Sequence, residues 1–175
     1  MKLLVFLMIN IYSILSVILI HENIFYYNNF KKQHVEEFNI NLYDKENKLI
    51  ELEKNKIYIF DFWTTSCSAC IEKFPDFSRL CKKYSDNKKI EFYTVNVKLN
   101  KNEGNKSLKY ILNKNYCFNN LFLKSKDEAE RIDVNGYPTV LIIKNNKIIY
   151  NGYPSFNKIV FFNNLSNLIE EQIIN

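Results

Sequence analysis

Phe60-Asp61-Phe62-Trp63-Thr64-Thr65-Ser66-Cys67-Ser68-Ala69-Cys70 places two cysteines three positions apart, directly after an apolar, strand-like run. Dithiol-disulfide exchange needs this placement: one sulfur exposed and acidic enough to attack, a second close enough to resolve the mixed disulfide. Ile57 to Phe62 is broken only by Asp61, the pattern of a central strand buried on both faces. From Cys67 the period becomes helical, with Cys70, Phe74, Phe77, Leu80 and Cys81 near one face as far as Tyr84. Cys67 then lies at a helix N-terminus, where unpaired N-H groups and the helix dipole stabilise a thiolate. Cys70 lies one turn further in and nearer the core. Cys67 is the expected nucleophile and Cys70 the expected resolving thiol.

Other uses of a C-x-x-C pair meet obstacles in the surrounding sequence. A structural zinc site needs further ligands, yet His21 and His34 lie far upstream. Cys81 follows Cys70 by eleven residues, about 20° around an ideal helix, so it points into the same buried side. Ile71 follows Cys70, which excludes the C-x-x-C-H haem attachment pattern. Thr64 three residues before Cys67 fits peroxide-reducing thiol enzymes, but their pattern has proline where Phe60 stands. No metal or cofactor is expected. Cys81 and Cys117 are expected as buried free thiols, with a second disulfide as the alternative in an oxidising compartment.

The chain has 175 residues, 47% of them hydrophobic and 25% charged, which suits one globular domain with an appendage. Residues 3 to 20 carry no charge and follow Lys2. Their length is that of a minimal spanning helix, and His21-Glu22-Asn23-Ile24 offers no small-residue cleavage pattern. Residues 1-20 are therefore expected to be a membrane anchor, with a cleaved signal or an unexported apolar arm as the alternatives. Residues 21-34 follow as a tether and 35-175 as the domain. The net charge of +5 is scattered among Asn and Glu, so no nucleic-acid surface is expected.

Within the domain, Phe38, Ile40 and Leu42 alternate with polar neighbours, and Asp44 to Lys48 supply turn residues before Leu49 to Leu52, which predicts a hairpin. Ile90 to Val97 reads as a second strand, Lys106 to Asn113 as a helix, and Leu121-Phe122-Leu123 as a short strand. Asp127 to Ile132 reads as a short helix. Thr139 to Ile143 and Lys147 to Tyr150 flank a hairpin turn, and Phe156 to Ile173 is a final amphipathic helix. The order is that of an α/β fold, a central mixed sheet flanked by helices with an N-terminal β-hairpin extension.

Asp-Phe-Trp-x-x-x-Cys-x-x-Cys at 61-70, Pro75 five residues after the second cysteine, and Tyr137-Pro138-Thr139 before a strand resemble the thioredoxin fold. The anchor, the early hairpin, Phe62-Trp63-Thr64-Thr65 and Phe74-Pro75 resemble more closely the membrane-tethered TlpA/ResA-type thiol-disulfide oxidoreductases. That resemblance covers about residues 35 to 172. It implies that Pro138 is cis and lies beside the cysteines, where adjacent backbone pairs with an extended substrate. It implies that Asp61 is a buried acid assisting proton transfer, with a raised pKa suited to accept a proton from Cys70. A strand-end acid bonded to water or backbone is the alternative, since TlpA-like proteins often carry Asn there. Trp63 and Tyr137 are expected beside the motif in contact with substrate; the alternatives are core packing for Trp63 and cover over the disulfide for Tyr137. Ser66 replaces the family's aromatic, and Ser68-Ala69 its Gly-Pro or Pro-Pro pair, which leaves the reduction potential open.

The expected function is exchange of protein thiols and disulfides in a bacterial cell envelope, in the direction of reduction. The domain is expected to face the periplasm or exterior, a membrane electron-transfer protein to restore the dithiol, and apocytochrome c to be one client. A disulfide-inserting oxidase and a non-catalytic binding or assembly module of the same fold are the rival readings.

Overall fold

The computed structural model describes residues 36-99, 111, 114-154 and 157-174. The expected anchor and tether, and most of the helix expected at 106-113, lie outside the described residues. Among the described residues, no helix is long and apolar enough to cross a membrane.

Eight strands form one sheet: β1 (Glu36–Glu37), β2 (Leu42–Tyr43), β3 (Leu49–Ile50), β4 (Ile57–Trp63), β5 (Ile90–Val97), β6 (Asn119–Leu123), β7 (Thr139–Lys144) and β8 (Lys147–Gly152), in the order β1-β8-β7-β4-β5-β6-β2-β3. Among the described residues three helices accompany it, α1 (Ser68–Lys83), α2 (Lys126–Glu130) and α3 (Lys158–Ile174). All seven residues of β4 are buried, as a run that is apolar but for Asp61 predicts. It pairs parallel with β5 and antiparallel with β7, so the sheet is mixed. The β7-β8 turn is Asn145-Asn146, both at positive φ, the backbone a two-residue hairpin demands and asparagine tolerates.

The early hairpin is shorter than expected. Leu42 and Tyr43 pair with Ile50 and Leu49, and the turn closes on Asp44, whose Oδ1 accepts the N-H groups of Glu46 and Lys48 at 2.8 Å each. Upstream, Glu36 and Glu37 pair instead with β8 at the opposite side of the sheet. The chain between must cross one sheet face. Phe38 drops onto that face, stacking on Phe60 with ring centroids 5.4 Å apart. Its side chain serves burial over a core, while its N-H bonds to the Asn146 carbonyl at 2.9 Å rather than to a hairpin partner.

Two cores lie on the two faces. The first joins Phe38, Tyr58, Phe60, Phe62, Val95, Leu121 and Leu141 with Ala129 and Ile132 around α2. The second lies under α1 and α3. There Phe74 meets Trp63 edge-on at 5.1 Å, Phe77 meets Phe92 at 5.5 Å and Phe118 at 5.4 Å, and Phe161, Leu165 and Ile169 of α3 are fully buried. The Tyr84 hydroxyl reaches Ser166 Oγ at 2.7 Å and ties the two helices together.

Cys81 and Cys117 form a disulfide across 36 positions, with Cα atoms 5.8 Å apart. This corrects the expectation of free thiols. Ser78 Oγ accepts the Cys117 N-H at 3.0 Å, and Tyr116 and Phe118 pack on Phe74, so the strand approach is delivered against α1 within bridging distance. Cross-linking so long a loop restricts the unfolded chain, by about 3-4 kcal/mol on the chain-entropy account. We expect Cys81→Ser/Cys117→Ser to lose about that much stability in denaturant unfolding of the oxidised protein, with the Cys67-Cys70 pair left intact.

Candidate active site

Chain leaving β4 turns at once into α1. The Cys67 N-H bonds to the Thr64 carbonyl at 3.1 Å, and the Thr64 and Ser66 hydroxyls lie 3.2 Å apart, closing a tight turn. Cys67 is the N-cap of α1 in extended conformation, φ −91° and ψ 93°. Its carbonyl accepts the Ile71 N-H, and its sulfur accepts the Cys70 N-H at 3.2 Å. A helix N-terminus leaves such N-H groups without intrahelical partners, so the sulfur takes the place a capping oxygen usually fills. This hydrogen bond and the dipole both favour a thiolate on Cys67.

The two sulfurs are bonded, S-S 1.99 Å, with Cα atoms 5.3 Å apart. Their surroundings differ as the expected roles require. Cys67 is partly exposed among the exposed Ser66, Ser68 and Ala69, whereas Cys70 is fully buried. An outside thiol or disulfide meets Cys67 first.

Pro138 sits at the same end of the sheet. Thr139 lies opposite Phe62 in the β4-β7 register, so Pro138 is one residue beyond that pair, where β4 gives way to the cysteine turn. The Tyr137-Pro138 bond is cis, as the resemblance implies. Tyr137 is half-buried and packs against the first core. Trp63 corrects expectation. It is 0% exposed and donates its indole N-H to Asn120 Oδ1 at 3.0 Å, so it supports the motif from beneath and offers substrate no surface. Tyr153 was not anticipated from the sequence. It is 53% exposed, and a Cβ added at Gly136 would come within 3.1 Å of its ring, which places the phenol over the loop leading to Pro138.

Asp61 is paired with a charged side chain. Lys73 Nζ lies 2.6 Å from Asp61 Oδ1, and the two side chains are 1% and 0% exposed. Lys73 stands three residues after Cys70 on α1, so one helical turn and one lysine side chain separate the buried thiol from the acid. Burial raises the Asp61 pKa, opposed by the charge and hydrogen bond of Lys73. Burial likewise lowers that of Lys73, opposed by Asp61. The sequence carried a signal for Lys73: it falls on the stripe 70-73-74-77-80-81, where a lysine interrupts an otherwise apolar helix face.

Among known proteins, no family model and no curated protein matches the chain. Solved structures do match. The thioredoxin domain of a thiol-disulfide oxidoreductase from Bacteroides vulgatus is 20% identical with a TM-score of 0.59, over 78% of this chain and 94% of that one. A protein described as a thiol:disulfide interchange protein, DsbE, from Chlorobium tepidum is 19% identical with a TM-score of 0.62, over 81% of this chain and 96% of that one. StoA from Bacillus subtilis is 14% identical with a TM-score of 0.57, over 77% and 98%. The chain has the thioredoxin fold.

Within this thioredoxin fold the Asp61-Lys73 pair can be tested without reference to turnover. Removing one member of a buried ion pair leaves an uncompensated charge, whereas replacing both by apolar groups is often neutral or stabilising. Lys73→Met is expected to cost about 3-5 kcal/mol near neutral pH, and Asp61→Asn/Lys73→Met to recover most of it. The pH dependence has a fixed sign. Without Lys73 the folded-state pKa of Asp61 rises further above its unfolded value, so the single variant regains stability as pH falls through that raised value and loses it as pH rises. Denaturant melts between pH 5 and 8 that show the opposite slope would exclude the charge account.

Proposed function

We propose that the protein is a thiol-disulfide oxidoreductase that reduces protein disulfides through Cys67 and Cys70. The observation that carries this reading is the asymmetry of the pair: Cys67 is partly exposed and its sulfur accepts the Cys70 N-H at the start of α1, and Cys70 is bonded to it from a fully buried position. The Bacteroides vulgatus and Chlorobium tepidum structures that share the fold carry names of the same activity, which supports it further.

In the reduced protein the Cys67 thiolate attacks a substrate disulfide. One substrate sulfur leaves as a thiolate, and the other is held in a mixed disulfide with Cys67. Cys70 then gives up its proton, attacks Cys67 Sγ and expels the second substrate thiolate, leaving the Cys67-Cys70 disulfide. Substrate gains two electrons and the pair loses two, so a reducing partner must restore the dithiol. Asp61 is the nearby base for the Cys70 proton, and burial shifts its pKa upward, in the direction that role needs. The Tyr137-Pro138 loop and exposed Tyr153 form the surface beside Cys67 on which an extended peptide is received.

The site of action follows as part of the same proposal. The charge-free run at 3-20 supports export or anchoring of the domain, with the domain facing the periplasm or exterior and a membrane protein as the reductant. The Cys81-Cys117 bridge supports an oxidising compartment, since cytosolic thiol systems keep such pairs reduced. Apocytochrome c remains one client class consistent with the resemblance.

Cys70→Ala is expected to accumulate mixed disulfides through Cys67 in envelope extracts, identifiable by mass spectrometry, and Cys67→Ser to abolish both trapping and insulin-disulfide reduction by at least about a hundredfold. Insulin reduction that survives Cys67→Ser would defeat the catalytic proposal. Equilibration against glutathione and dithiothreitol buffers fixes the direction: a midpoint near that of strong oxidants would make the protein a disulfide donor instead.

A further inference from the structure

Three polar residues form a row across the sheet face that α1 covers. Thr94 on β5 stands opposite Asp61 on β4 and, on its other side, opposite Asn120 on β6. Side chains opposite one another project from the same face. Trp63, two residues from Asp61, and Phe92, two from Thr94, also lie on this face, where they meet Phe74 and Phe77 of α1. Asp61 and Thr94 are both 0% exposed.

Hydrogen bonds along this row have a direction. Asn120 Oδ1 accepts from Trp63 Nε1 at 3.0 Å and from the Thr94 hydroxyl at 2.8 Å. An indole N-H can only donate, so the Asn120 amide cannot turn its NH2 toward it. With its hydrogen committed to Asn120, Thr94 Oγ1 presents only lone pairs to its other neighbours. Asp61 is the neighbour across the register. Its Oδ1 is taken by Lys73, and its Oδ2, buried, has no hydrogen-bond partner among the described residues. No donor among the described residues meets Oδ2, and Thr94 makes no direct hydrogen bond to it; a carboxyl group with a donor at one oxygen and none at the other is suited to carry a hydrogen on the second. The other groups facing it are uncharged Val140 on β7 and Cys70 one turn before Lys73, with Lys158 of α3 acting on Lys73.

We propose that Trp63, Asn120 and Thr94 form a polarity relay that makes Asp61 Oδ2 a proton-holding atom, so that Thr94 and Asn120 are positioning residues for the proton that leaves Cys70. This rests on the exchange chemistry proposed above. When Cys70 closes on the mixed disulfide, its S-H bond breaks, the Cys67-Cys70 S-S bond forms and the substrate sulfur leaves with the electron pair. The proton passes to Asp61 Oδ2, where Thr94, through one water, accepts its hydrogen bond. It is afterwards given up to the departing thiolate or to solvent.

The test is the titration of Asp61 in the oxidised protein, followed through its carboxyl carbon-13 resonance. Thr94→Val removes the acceptor while keeping the shape, and the Asp61 pKa is expected to fall. Asn120→Ala frees the Thr94 hydroxyl to turn and donate to the carboxylate, and the fall should be larger. Thr94→Ser keeps the hydroxyl and should leave the value where it is. A Thr94→Val pKa that rises or stays unchanged overturns the relay, because a donating or merely packed threonine predicts those outcomes. Thermal melts and the emission of Trp63, the chain's one tryptophan, check that each variant is folded. Stopped-flow resolution of the mixed disulfide should slow about threefold or more in Thr94→Val as Asp61 becomes a weaker base. If the unaltered protein resolves no mixed disulfide, the proposed function fails, while the titration still decides the relay.

Discussion

A strand with no solvent face organises this molecule. Each residue of β4 is buried, because α1 and α3 cover one side of the sheet and α2 with the Phe38 crossing covers the other. Such a strand offers chemistry only where it ends. At that end Trp63 gives way to the Thr64-Cys67 turn, and β7, antiparallel to β4, brings Pro138 to the same place. The site is thus set by register: a slip of one residue between β4 and β7 would exchange their buried faces and move Pro138 off the end of the strand.

Asp61 is the exception within that strand, and the structure around it is arranged to tolerate it. A lone carboxylate in this core would be protonated or would unfold the domain. Lys73, reaching down from α1, supplies a counter-charge, and the row of Thr94 and Asn120 supplies polar neighbours in place of water. The pair is better regarded as a constraint than as a source of stability, since two charges taken from water seldom gain more from each other than they lose. What it secures is position: a titratable group held one helical turn from a buried thiol.

Much of this was legible in the sequence because it rests on local pattern. The run at 57-62, apolar but for Asp61, the change of period at Cys67, and the Asn145-Asn146 turn identify strand, helix and hairpin from neighbours alone. Features that depend on distant segments meeting were not legible. Phe38 alternates as a strand residue does, yet it crosses the sheet, because its partner Phe60 is known only once the sheet is assembled. The burial of Trp63 depends on Asn120, and the second disulfide on the delivery of Cys117 to α1 by Ser78 and the aromatic cluster. Lys73 lay between these cases. Its place on an apolar stripe was visible, but its acid partner was not.

The two disulfides occupy opposite ends of one helix, and the helix itself distinguishes them. At its N-terminus Cys67 receives a backbone N-H and the positive end of the dipole, both of which stabilise a thiolate and make that sulfur a good nucleophile and leaving group. At the other end Cys81 lies in the last turn, where the carbonyls, its own among them capped by the Tyr84 N-H, present the negative end. A thiolate there is disfavoured, and Cys81 is nearly buried as well. Thiolate formation is therefore favoured at one end and disfavoured at the other for a reason present in every α-helix. The proposed division of four cysteines into an exchanging pair and a fixed brace follows from where along α1 each pair is attached.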